Sequence, residues 1–304
     1  ADTDGHGGNT AVGSSSMSNL STGTENTAVG GLAMGTGVTT GIYNTAVGYG
    51  AGNQLTSGQY NVLVGGNAGT AITTGESNVI IGLNAGDALV EGHDNVAIGQ
   101  SALSSENAHG RNTAIGHQTL STLDAGANAN NVAVGYHAGT LMTSGVQNTI
   151  IGSESGDAIT SGDDNTSLGY FSLSANTVGN NNIAIGVSAL ATNVASDRNV
   201  AIGNNALNAM TSASTVDSYN TAIGHAAGSA ITSGVQNTLI GANVGVRITA
   251  GQKNTIIGEG ADVASGGGGT DNAIVIGHDA EALGANTTVI GTATTTNAVV
   301  HGLR

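Results

Sequence analysis

Polar and apolar positions follow one pattern along this chain: Asn, then Thr, Val or Ile, then a small or aliphatic residue, then a branched aliphatic, then Gly. It occurs fifteen times, starting at Asn9, Asn26, Asn44, Asn61, Asn78, Asn95, Asn112, Asn131, Asn148, Asn165, Asn182, Asn199, Asn220, Asn237 and Asn254, mostly 17 apart with steps of 18, 19 and 21 at a few turns. The three residues after Asn alternate as in a strand, the first and third on one face and the second on the other. The third is Val12, Val29, Val47, Val64, Ile81, Ile98, Ile115, Val134, Ile151, Leu168, Ile185, Ile202, Ile223, Ile240 and Ile257, and fourteen of the fifteen are β-branched, which suits a stacked parallel strand and argues against a helix. This column is the expected core.

Gly at the next position lets the strand turn or lets two backbones approach closely. The Asn column is expected to be structural, because Asn tolerates left-handed backbone and its amide can reach a neighbouring backbone or the equivalent Asn one coil away. The second half of each coil comes in two versions. Seven coils carry Gly eight residues after Asn (Gly52, Gly69, Gly86, Gly139, Gly156, Gly228, Gly245), an aliphatic three positions later (Leu55, Ile72, Leu89, Met142, Ile159, Ile231, Ile248), and a closing Gly. Other coils put Met17, Met34, Leu103, Leu120, Leu173, Leu190 or Leu207 at the eighth position. One apolar volume filled in two ways implies a second strand that is also a core-facing wall.

A fixed period of this size marks a solenoid, in which each coil buries its apolar face only against its neighbours. The expected organisation is an N-terminal segment over 1–8, a repetitive all-β shaft over 9–271, and atypical coils over 272–304, where the pattern slips by one residue at Asn272 and ends in Thr-Thr-Thr-Asn-Ala-Val-Val-His-Gly. About 16 coils at about 4.8 Å each would make a rod of roughly 75 Å.

Composition narrows the function classes. Aromatics are confined to Phe171 and six Tyr, so burial must come from stacked aliphatics. There is no Cys, hence neither a disulfide framework nor a thiolate metal site. The net charge of −15, with only Arg111, Arg198, Arg247, Lys253 and Arg304 positive, disfavours nucleic acid and anionic membranes as partners. No apolar run approaches the ~20 residues of a membrane helix, so a soluble chain without membrane insertion is expected. A start at Ala-Asp would suit a position just after signal cleavage.

The Asn-Thr-Ala-Val-Gly signature, with its Ser-Ala-Leu or Asn-Ala-Gly continuation, resembles the left-handed parallel β-roll of trimeric autotransporter adhesin heads, and more closely the repeats of phage tail fibres and related bacterial fibre proteins. The resemblance covers nearly all of 9–304. It implies a homotrimer of rolls packed around a common axis, on a virion surface or outside the cell. The second-face aliphatics Leu63, Ile80, Ile150, Leu239 and Ile256 are expected to want a partner surface in the same way.

Candidate chemistry is sparse. His6, His93, His109, His117, His137, His225, His278 and His301 are read as surface or turn residues; only a site shared around a trimer axis could bring copies of one His together. The turns Gly162-Asp163-Asp164-Asn165, Gly92-His93-Asp94-Asn95 and Gly266-Gly267-Gly268-Gly269-Thr270-Asp271 offer oxygen ligands suited to Ca²⁺, yet a calcium roll needs its motif in series, so no cofactor is expected. No catalytic motif rises above the repeat, and the chain is expected not to be an enzyme. The sequence therefore favours a structural fibre with an attachment role, binding its own copies, end to end as a filament as well, and a cell-surface receptor or glycan. The competing class is an ice-binding solenoid with rungs at Thr56, Thr73, Thr143, Thr160, Thr177, Thr211, Thr232 and Thr249, a column broken by Val90, Asn107, Asp124 and Val194.

Overall fold

Three-residue strands arise because the backbone is bent at both ends of each signature. In the coil starting at Asn61, Tyr60 lies in the left-handed region (φ 59°), Val62–Val64 is extended, and Gly65 has φ 134°. Residues 7–211 and 217–292 are described in the computed structural model; His6, His301, Arg304 and the C-terminal Thr-Asn-Ala-Val stretch lie outside them. The described residues are all-β, without a helix, and wind as a parallel β-solenoid with coils of about 17 residues.

The chain divides into two compact units, Ala1–Asp163 and Asp164–Arg304. The first carries β1 (Thr10–Val12), β2 (Thr27–Val29), β3 (Thr45–Val47), β4 (Val62–Val64), β5 (Val79–Ile81), β6 (Val96–Ile98), β7 (Thr113–Ile115), β8 (Val132–Val134) and β9 (Thr149–Ile151), each parallel to the next and in register. The second carries β10 (Thr166–Leu168), β11 (Ile183–Ile185), β12 (Val200–Ile202), β13 (Thr221–Ile223), β14 (Thr238–Ile240) and β15 (Thr255–Ile257) in the same manner. It continues through β17 (Ile274–Ile276) to β19 (Thr288–Ile290), while β16 (Asp262–Val263) pairs with β18 (Glu281–Ala282).

The inside and the outside of the strand are the reverse of the expected assignment. The second position is the core: Ala28, Ala46, Leu63, Ile80, Ala97, Ala114, Ala133, Ile150, Ala184, Ala201, Ala222, Leu239 and Ile256 are wholly buried. The third position faces out. Val12, Val29, Val47, Ile151, Leu168, Ile223 and Ile240 are exposed, and Val64, Ile81, Ile98, Ile115, Val134, Ile185, Ile202 and Ile257 are only half-buried. The physical reason is space, since a coil of this length encloses a narrow interior in which Ala fits in most rungs. Leu63, Ile80, Ile150, Leu239 and Ile256 are spent inside the coil and face no partner.

The second wall also differs from expectation. Apart from β16 and β18, it is a run of stacked turns, because positions six and eight after Asn are left-handed: Asn67 and Gly69 at φ 56° and 55°, Ser101 and Leu103 both at 53°. The turns are hydrogen-bonded from coil to coil, as in Gly52 N–H to Ala68 O (3.0 Å) and Asn67 N–H to Tyr49 O (2.8 Å). The left-handed eighth position suits Gly, and seven coils use it. Large residues there are buried too, among them Met34, Leu103, Leu120, Leu173, Leu190 and Leu207, as are Leu55, Ile72, Leu89, Met142, Ile159, Ile231 and Ile248 three places on. Interior volume is shared between coils as well: a Cβ on Gly139 would lie 2.8 Å from Leu120 Cδ2 and 3.3 Å from Ile150 Cδ1, so large side chains from both adjoining coils occupy its space.

Candidate functional site

Two arrays of side chains run along each unit. The inner one is the Asn column. Asn78 shows its geometry: its Nδ2 donates to Asn61 Oδ1 (3.0 Å) and to Gly92 O (2.8 Å), and its Oδ1 accepts the Asn95 backbone N–H at 3.0 Å. The amide thus ties its own coil to both neighbours and closes the turn that follows. The same backbone link joins successive members from Asn9 through Asn26, Asn44, Asn61, Asn78, Asn95, Asn112 and Asn131 to Asn148 at 2.9–3.2 Å. In the second unit it joins Asn165, Asn182, Asn199, Asn220, Asn237 and Asn254. There the N–H of Ala273, not that of Asn272, donates to Asn254 Oδ1 (2.9 Å), so the one-residue slip in sequence ends the column. From Asn26 to Asn254 these amides are buried, and each Nδ2 donates to a backbone carbonyl, so they hold the register.

The outer array is the sheet face made by the first and third strand positions. Parallel register places Val62, Val79 and Val96 in one row and Val64, Ile81 and Ile98 in the next. Rungs recur at about 4.8 Å, so the face is a ladder of half-buried to exposed branched aliphatics with Thr at many first positions. Small residues at the second position were the signal for this orientation. A column of Ala marks the crowded side of a strand, whereas β-branched residues serve either side.

Six of the eight Thr rungs considered for an ice lattice, Thr56, Thr73, Thr143, Thr177, Thr232 and Thr249, are engaged along the stacking direction. Thr56 donates its hydroxyl to Thr73 O (2.9 Å), Thr73 to Val90 O (3.3 Å), Thr143 to Thr160 O (3.1 Å) and Thr232 to Thr249 O (3.2 Å). Such hydroxyls staple coils together and do not present their protons outward.

The Asp-rich turns have structural bonds of their own. Asp163 accepts the Val146 amide (2.8 Å), and Asp271 accepts the Gln252 amide (2.8 Å), each from the preceding coil. Among the histidines, His93 and His278 pair with the adjacent Asp94 and Asp279, His117 and His137 stack with Tyr136, and His225 lies on the surface. A cluster that the repeat concealed joins Glu106 and His109 to Asp124 of the next coil.

In the second unit, Asp262 accepts the Val263 amide (2.7 Å) and the Arg247 amide (3.0 Å), while Arg247 Nη1 reaches Glu281 Oε1 at 2.7 Å. Burial pushes the Asp262 carboxyl above its ordinary value of 3.8, against the opposing pull of the Val263 amide and of Arg247. An acid whose folded pKa is raised is favoured in its protonated form by the fold. Its contribution is therefore full below the unfolded value and is lost as pH climbs from about 4 toward the raised folded value. Thermal melts are expected to give a higher Tm at about pH 4.5 than at about pH 7 for this part of the chain, with the difference reduced in Asp262→Asn. An equal pH response in the variant would contradict the assignment.

No protein-family model matches this chain, and no curated protein matches it in sequence. The fold makes it a parallel β-solenoid. Among the described residues no helix is long and apolar enough to cross a membrane.

Proposed function

We propose that this chain is a non-enzymatic fibre component, the shaft of a phage tail fibre or of a bacterial surface filament, which assembles as a homotrimer and serves attachment. The observation that carries this is the outer ladder of Val64, Ile81, Ile98 and their row-mates, an apolar sheet face repeated rung after rung. Burial of such a face is favoured by about 25 cal/mol per Å². A further copy of the chain is the partner that fits, since only another solenoid offers side chains at the same spacing along the whole ladder. The net charge of −15 then keeps the remaining surface soluble. Three copies, left-handed winding and an extracellular or virion location follow from the resemblance to fibre repeats. The repetition itself supports a mechanical role, and a receptor or glycan would be met by the assembled fibre.

The test is the triple variant Val64→Lys, Ile81→Lys, Ile98→Lys. These side chains stand outside the coil, so the circular dichroism of the fold is expected to persist. The native mass is expected to fall to a single chain, because three like charges per chain would meet their copies across the interface. An unchanged multi-chain mass would remove the ladder from the interface.

A further inference from the structure

Eleven residues after the Asn of each coil stands a column that is aliphatic in most coils: Leu89, Leu123, Met142 and Ile159 are wholly buried members. In the coil that begins at Asn95 the same place holds Glu106, also wholly buried. Two other coils put Asn there, and they show what satisfies a buried polar side chain at this place. Asn176 accepts the Gly179 amide (3.1 Å) and donates to Gly179 O (2.9 Å), and Asn193 accepts the Ser196 amide (3.2 Å) and donates to Ser196 O (3.0 Å). Each amide is closed by the residue three places on.

Glu106 makes only half of that arrangement. Its Oε1 accepts the His109 amide at 3.1 Å, again three places on; its Oε2 is buried and makes no hydrogen bond of ordinary geometry, although the Ala125 backbone on the next coil also favours the charged carboxylate. His109 Nδ1, 3.4 Å from Glu106 Oε1, is buried and makes no hydrogen bond; it pairs with that carboxylate only when protonated. Asp124 on the following coil completes a triangle, with one ligand atom from each residue lying within 4.8 Å of the others. A buried carboxylate oxygen and a buried imidazole nitrogen without hydrogen bonds are costly, whereas a cation between them would satisfy both.

We propose that Glu106, His109 and Asp124 bind one divalent transition-metal cation of the Zn²⁺ type. One nitrogen and two carboxylate oxygens are a borderline ligand set, which suits Zn²⁺ or Co²⁺ better than the all-oxygen shell of Ca²⁺. Three protein ligands on two successive coils leave further coordination positions for water, with Asp124 on the exposed side as the point of entry. The two carboxylates balance the ion's charge. The metal pins the coil from Asn95 to that from Asn112, where the turn glycine of most coils is replaced by His109 and the next step lengthens to 19 residues. It would act there as a structural clip.

Zn²⁺ titrated calorimetrically into the metal-stripped full chain is expected to reveal a site that Glu106→Asn removes, lowering the bound stoichiometry by one ion per chain. The substitution copies Asn176 and Asn193, so the fold is expected to stand; Glu106→Leu, following the rest of the column, is the second variant. His109→Ala is expected to weaken the same site at least tenfold. Co²⁺ should give a visible d–d absorption in the wild type that both Glu106 variants lack. Zn²⁺ should also raise the wild-type Tm and leave Glu106→Asn unmoved. Absence of Zn²⁺ binding, or equal stoichiometry in wild type and the Glu106 variants, would overturn the proposal.

Discussion

Gly65→Ala is expected to destabilise the chain by about 3 kcal/mol or more. Gly65 sits at φ 134°, a backbone conformation that side-chain-bearing residues rarely adopt, and a Cβ there would lie 2.5 Å from the carbonyl oxygen of Gly82 on the next coil. That oxygen cannot retreat, because its strand is held in the parallel ladder by the same kind of close approach one rung further. Stability in a stacked array is a sum over coils and the interfaces between them, so a defect at one interface also uncouples what lies on either side. Gly126→Ala is the matched control: its φ is 69°, yet nothing lies within 4 Å of the added carbon, and a loss of about 1 kcal/mol is expected. Chemical unfolding followed by circular dichroism should separate the two variants clearly. If Gly65→Ala unfolds like Gly126→Ala, the close packing of consecutive strand ends does not govern stability.

Asn78→Asp is expected to be worse than Asn78→Ala at neutral pH and to recover in acid. Alanine removes the acceptor of the Asn95 amide and the donor to Gly92 O, orphaning two buried backbone groups at about 1–3 kcal/mol each. Aspartate restores an acceptor for the Asn95 amide but points an anion at two oxygens, Gly92 O and Asn61 Oδ1, that Nδ2 now serves. The site is wholly buried, so the fold opposes ionisation. Protonation returns one O–H donor, and stability should therefore rise as pH falls through the raised pKa of the introduced carboxyl. Melting curves between about pH 4 and about pH 7 are the check. Asparagine-like stability of Asn78→Asp at neutral pH would show that the amide donors contribute nothing.

Period, strand position and the strand-ending turns were legible in the sequence, because Asn and Gly at fixed offsets report backbone conformations that few other residues accept. The exchange between Gly69 with Ile72 and a large residue such as Leu103 was legible as well, since both fill one interior. The direction of the strand faces was not. In a three-residue strand bounded by two bends, alternation alone does not say which parity is inside, and Val64 and Ile81 have the same β preference whether they face core or solvent. Ala46 and Ala97 carried the information, as residues small enough for the narrow interior. The second wall was read as a strand because its apolar spacing is consistent with one, but left-handed backbone at Asn67 and Leu103 makes it a stack of turns. The Glu106 cluster was hidden for a different reason. His109 and Asp124 lie on separate coils, and only the stacking register brings them together.

Sedimentation equilibrium of the full chain over a hundredfold range of concentration decides whether the outer ladder joins copies of this chain, as proposed. A mass of three chains, constant over that range, is the expected result. A single chain at every concentration would rule the trimer out and leave the ladder of Val64, Ile81 and Ile98 as a free face.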